Sequence, residues 1–104
     1  VKAKYPETPV IFHANGGTGK LQRTNEGCVS ADVFGLDWAC DMSDARSIFG
    51  ADKTLQGNVD PMILFGSEDQ IRSAVETCIE EAGPGRHILG VGHGVVQGTP
   101  EENV

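Results

Sequence analysis

The chain has 104 residues, enough for one small domain, and its 38% hydrophobic and 22% charged residues are an ordinary globular composition. Eight Lys and Arg stand against fifteen Asp and Glu, and the basic residues are scattered. That balance (formal net charge -7) excludes nucleic acid and anionic membrane surfaces as partners. Apolar runs are as short as Val10-Ile11-Phe12, so no stretch meets the roughly 20 apolar residues a membrane-inserted helix needs.

Residues 9–13 (PVIFH) read as a first strand, followed by Asn15-Gly16-Gly17. A first helix over about 19–24 is expected on a weak pattern. A second strand, 33–36 (VFGL), leads into Asp37-Trp38. Ser43 is the expected N-cap of a second helix, with Ala45, Ile48 and Phe49 as its apolar side and Gly50 at its end. A third strand, 54–56 (TLQ), runs into Gly57-Asn58-Val59-Asp60-Pro61.

The third helix, 67–82, has the strongest signal. Ser67 and Gln70 form a capping box, and Glu68 and Asp69 favour the positive helix end. Ile71, Ala74, Val75, Cys78 and Ile79 repeat as one buried stripe, and Gly83-Pro84 stops the helix. A fourth strand, 87–91 (HILGV), ends in Gly92-His93-Gly94. Thr99 as N-cap, Pro100 at N1 and Glu102 at N3 then predict the start of a further helix. Its stop at Val104 after about one turn, like the Val at position 1, leads us to expect a truncated chain.

Strand–helix alternation implies an α/β fold with parallel strands and crossover helices. Polar and glycine residues follow every strand. They would line the C-terminal rim of a parallel barrel or the crevice of an open doubly wound sheet, and local pattern fits both.

Several motifs have plain readings. Gly16-Gly17-Thr18-Gly19-Lys20 resembles a phosphate loop, but Ala14 and Leu21 stand where its first Gly and its Ser or Thr belong, so a tight turn is expected. Gly90-Val91-Gly92 fails the dinucleotide fingerprint at Val95. Cys28, Cys40 and Cys78 form no CxxC and no zinc-finger cluster, which points to a reducing compartment and no metal. Cys78 falls on the apolar stripe and is read as core. His13 and His87 sit at the edges of apolar runs and are read as structural.

Two features invite a functional reading. Glycines on both sides of His93 let backbone approach a ligand closely, and an imidazole exchanges protons near neutrality. Asp37, beside Trp38, is able to hold a substrate N–H or to cap its own turn.

In order, Gly35-Leu36-Asp37-Trp38, Leu55-Gln56-Gly57-Asn58-Val59-Asp60-Pro61, His87-Ile88-Leu89-Gly90-Val91-Gly92-His93-Gly94 and Gly98-Thr99-Pro100-Glu101-Glu102-Asn103 resemble the uroporphyrinogen decarboxylase family over nearly the whole chain. Leu64-Phe65-Gly66-Ser67 makes the plant and algal plastid form the most similar. The resemblance implies that residues 1–104 are the C-terminal portion of a (β/α)8 TIM barrel, about four βα units with the last helix truncated. It implies a homodimer of the full-length enzyme in the plastid stroma, with the cytoplasm as alternative. It also implies decarboxylation of the four acetate side chains of uroporphyrinogen to give coproporphyrinogen, without cofactor or metal.

His93 is the implied catalytic residue. His93, Gly92, Gly94 and Asp37 are the implied contacts to the tetrapyrrole substrate. The family's cleft arginines and pyrrole-binding aspartate have no counterpart here, which agrees with the charge, since an acidic chain is a poor receptor for a polyanionic substrate. The fragment alone is therefore expected to be inactive. Its edge strands are expected to be covered by the rest of the barrel or by a partner protein. Two alternatives remain: a non-catalytic remnant serving as a structural subunit, and a cobalamin-linked methyltransferase of the same barrel. The second is disfavoured because its zinc-binding Cys would stand where His93 stands.

Overall fold

The computed structural model describes residues 2–13, 19–27 and 30–104. Four strands, β1 (Ile11–His13), β2 (Val33–Gly35), β3 (Thr54–Gln56) and β4 (His87–Ile88), form one sheet in the order β1-β2-β3-β4, and every pairing is parallel. The expected α/β alternation with adjacent strands in chain order is what the chain adopts. The alternative of a doubly wound crevice has no basis in this order, because no switch point interrupts the four strands.

Three strands are shorter than the residue pattern predicts, β2 by a single residue. Pro9 has no N–H to donate, and β1 starts at Ile11. β4 ends at Ile88, yet its backbone stays tied to the chain after β3. Gly57 N–H donates to Ile88 O (2.9 Å), Val59 N–H to Gly90 O (3.0 Å) and Gly92 N–H to Val59 O (2.8 Å). Residues 87–91 therefore track β3 throughout, although the regular ladder covers only the first two.

Helices α1 (Leu21–Gly27), α2 (Met42–Phe49) and α3 (Glu68–Ala82) connect the strands. Alternation along a strand sends successive side chains to opposite faces. Phe34 and Leu55 face the helices and are almost wholly buried with Met42, Ala45, Phe49, Cys78 and Ala82. Phe34 stacks on Phe49 with ring centroids 4.3 Å apart. The opposite face presents Ile11, Val33 and Ile88, and Ile11 is 55% and Ile88 42% exposed.

Local capping explains most helix boundaries. Ser67 accepts from Gln70 N–H (3.2 Å) while Gln70 Oε1 accepts from Ser67 N–H (2.9 Å), so the expected capping box forms. The N-cap of α2, however, is Asp41 and not Ser43. Its carboxylate accepts from the backbone N–H of Ser43 (2.8 Å) and Asp44 (3.2 Å) and from the Ser43 hydroxyl (2.5 Å). The Ser43 hydroxyl, then the backbone N–H groups of Asp44 and Ser43, hold the Asp41 carboxyl below its ordinary value. Asp60 caps a 3-10 turn, Pro61–Phe65, that the residue pattern does not predict.

Two further expectations fail for physical reasons. Ile79 is 48% exposed, and Ala82 takes its place on the buried stripe beside Cys78. At 3.6 residues per turn Ile79 is turned about 80° from Ile71, at the edge of the stripe, whereas Ala82 is turned only about 20°. Nor does Thr99 cap a helix. Its hydroxyl donates to Val96 O (2.6 Å), and Glu101–Asn103 forms a 3-10 turn without a side-chain cap. Asn103 Nδ2 instead donates to Leu64 O (2.8 Å), fastening this segment to the 3-10 turn after β3.

Arg46, on α2, ties the lower ends of these units together. Its guanidinium donates to Ala82 O (2.7 Å), Gly50 O (3.1 Å), Lys53 O (2.7 Å) and Arg86 O (3.0 Å). Four carbonyls, two from the α2–β3 connection and two from the end of α3 and the α3–β4 connection, meet one rigid donor fork, a geometry the lysine ammonium lacks. We expect Arg46→Met to lower unfolding free energy by about 2 kcal/mol, the scale of losing hydrogen bonds to a charged donor, with Arg46→Lys recovering only part of it. Denaturant unfolding of the full-length protein measures both.

Candidate functional site

All four strands run the same way, so the segments after β2, β3 and β4 collect at one rim. The residues after β1, Asn15-Gly16-Gly17, lie outside the described residues, as do most of the phosphate-loop-like segment and Cys28.

The segment after β3 is the hub of this rim. Asn58 is buried, and its Nδ2 donates to Asp37 O at 3.0 Å and, by a very short hydrogen bond, to Cys40 O. Its Oδ1 lies 3.9 Å from the Cys78 Sγ. Gly57 O accepts from His87 Nε2 (2.6 Å) and from Cys78 Sγ (3.3 Å). A carbonyl only accepts, so His87 carries its proton on Nε2. These contacts bind α3, β4 and the turn after β2 to one peptide. The structural reading of His87 and the core reading of Cys78 agree with this packing.

Asp37 is buried and accepts from Ala39 N–H at 3.3 Å, while Cys40 N–H donates to Asp37 O at 3.1 Å. Of its two expected roles, the turn-capping one is visible in the fold. Trp38, next in the chain, is 48% exposed at the rim. The thiol of Cys40, just behind, is pushed up to about 11 by burial, then by Asp41, Asp44 and Asp37. Burial likewise raises the Cys78 thiol. Both are poor nucleophiles near neutral pH.

The Gly92-His93-Gly94 turn lies against the turn after β2. Gly92 is buried with its Cα facing Trp38, and a Cβ there would sit 2.2 Å from Trp38 N and 2.5 Å from Trp38 Cα. Only glycine allows this approach. At Gly94 a Cβ would meet nothing within 4 Å. His93, between them, is exposed. The structure thus brings Asp37, Trp38, Asn58 and Gly92 into one contact network and leaves His93 on its open side. We expect Gly92→Ala to cost about 1–3 kcal/mol, as for an overpacked site, and Gly94→Ala to stay within about 0.5 kcal/mol. Thermal unfolding of the two variants side by side tests the contrast.

Among the described residues, no three His, Cys, Asp or Glu side chains are grouped to hold a metal ion. Sequence reasoning missed Asn58 as a bridge and Arg46 as a clamp. Gly-Asn at a strand end was visible, but its partners lie about 20 residues away in sequence.

A parallel sheet with helices on one face and a glycine-rich, histidine-bearing rim at its C-terminal strand ends defines a βα-repeat domain, the class whose barrels build their active sites at that rim. The family model described as uroporphyrinogen decarboxylase matches residues 1–104. Uroporphyrinogen decarboxylase of Picosynechococcus sp. is 47% identical over 104 residues, covering 100% of this chain and 29% of the relative. That of Gloeobacter violaceus is 46% identical over 103 residues, 99% of this chain and 29% of its own. The protein named "Uroporphyrinogen decarboxylase, chloroplastic" of Nicotiana tabacum is 45% identical over 103 residues, 99% of this chain and 26% of its own. The chain belongs to the uroporphyrinogen decarboxylase family. It spans less than a third of the length of these relatives. The family implies a (β/α)8 barrel, but these matches do not support the expected place at the C-terminal end of it. Neither the remnant nor the methyltransferase alternative is favoured by them.

Proposed function

We propose that this chain is part of a uroporphyrinogen decarboxylase, and that its rim forms part of the cleft that removes the four acetate carboxyls of the tetrapyrrole. The observation that supports it is the family match over residues 1–104 with the Gly92-His93-Gly94 turn held open at the strand ends. The chemistry suits a site without a cofactor. Protonating a pyrrole carbon makes the tetrapyrrole its own electron sink. The C–C bond to the carboxylate then breaks, CO2 leaves, and the electron pair flows into the ring. A proton delivered to the former methylene carbon yields the methyl group, and loss of the proton first added to the ring restores the neutral aromatic pyrrole.

In this reading His93 is the catalytic residue, giving or taking a proton or hydrogen-bonding the acetate being lost. Gly92 and Gly94 let the turn approach the substrate, and Asp37 lines the same rim. Basic residues from the remainder of the barrel neutralise the substrate carboxylates, since the net charge here is -7. The four βα units are completed by further units of the same barrel, which cover β1 and β4. The full-length enzyme is a homodimer. The chloroplastic relatives, at 45% identity, favour the plastid stroma as its compartment.

The full-length protein, incubated with uroporphyrinogen in the dark without oxygen, should release CO2 and accumulate coproporphyrinogen. Failure to consume uroporphyrinogen with a correctly folded protein would overturn the proposal.

A further inference from the structure

Asn58 is more than a buried filler. Its amide donates to Asp37 O and Cys40 O, the two carbonyls that bracket the turn carrying Trp38. The backbone of that turn is the surface against which Gly92 packs, with no room for a Cβ. Gly92 is fixed on its other side by its N–H bond to Val59 O (2.8 Å), the residue after Asn58. The residue before His93 is thus held between two segments that the Asn58 side chain and backbone link. Both N–H bonds of the Asn58 amide are used within the fold, and its side chain is buried.

We infer that Asn58 is a positioning residue for His93, acting through the 37–40 turn and Gly92. This rests on the proposed role of His93. Loss of the Nδ2 donor frees the 37–40 turn, and the bed beneath Gly92 shifts with it. A misplacement of about 1 Å at a reacting group is enough to cost roughly 10²-fold in rate. A role confined to stability makes a different forecast, since it slows every active-site background by the same factor.

The test is a double-mutant cycle in the full-length protein, with kcat for uroporphyrinogen as readout. Asn58→Ala should lower kcat by about 10–100-fold alone and by less than about 3-fold in the His93→Asn background, because the group it positions is gone. Should Asn58→Ala not fold, Asn58→Ser, whose hydroxyl retains one of the two carbonyl bonds, replaces it. The imidazole resonance of His93, assigned by its loss in His93→Asn, should shift in the folded Asn58 variant while that of His13 at β1 stays. Equal slowing in both backgrounds, an unchanged rate or an unmoved His93 resonance each overturn the inference while leaving the decarboxylase reading intact. A folded wild-type protein that releases no CO2 removes that reading, and this role with it.

Discussion

Replacing His93 by Asn or Ala in the full-length enzyme is expected to slow decarboxylation by about 10²–10⁴-fold, the range for losing a positioned proton donor or acceptor. Folding should hardly change. His93 is exposed, its flanking Gly94 has open space around it, and it is not a member of the buried cluster. Surface replacements of this kind usually fall within about 0.5 kcal/mol. Steady-state rates with uroporphyrinogen, paired with thermal unfolding of the same samples, separate the two effects. A near-normal rate would reduce His93 to a positional contact, and a collapsed melting transition would make it structural. Gly92→Ala is the useful contrast, because it should harm stability first and rate through displacement of the same turn.

What the residues disclose in advance divides by sequence distance. The capping box of α3 is complete within Ser67–Gln70, and the strand alternation needs only short windows, so both are legible. The residue pattern places the α2 cap two residues late because Asp41 and Ser43 are both good caps. The choice depends on which side chain meets the free N–H groups, and Asp41 captures two of them and the Ser43 hydroxyl. Thr99, Pro100 and Glu102 carry every local sign of a capping box, yet Thr99 turns its hydroxyl back to Val96. Arg46 reaches carbonyls of Ala82 and Arg86, and Asn58 reaches those of Asp37 and Cys40. No local periodicity reports such contacts, since they exist only once three βα units have packed. His93 stands out because its glycine neighbours are unusual within four residues. The packing of its neighbour Gly92 on Trp38 becomes visible only in three dimensions.

Expressed alone, the 104-residue chain is expected to be molten or aggregated, and to have no decarboxylase activity. Its sheet has two edges, β1 and β4, where a closed barrel has none. Ile11 on the first, Ile88 on the last and Leu89 just after it are 55%, 42% and 47% exposed, side by side with backbone groups that lack strand partners on one flank. The helices cover only one face of the sheet. The other presents Ile11, Val33 and Ile88 to whatever fills the barrel interior, and in isolation that is water. A few hundred Å² of such surface, at about 25 cal/mol per Å², forfeits several kcal/mol. A domain of this size has only about 5–15 kcal/mol in total. The clamp of Arg46 and the bridge of Asn58 act on the helix side and at the strand ends, so neither shields the bare face. The isolated chain should therefore bind a hydrophobic dye strongly, keep some helical signal in the far ultraviolet, and melt without a sharp transition. Adding the remaining barrel segment in trans should suppress dye binding if that segment supplies the missing cover. A monomeric chain with a cooperative thermal transition and no dye binding would show that the four βα units close a core of their own.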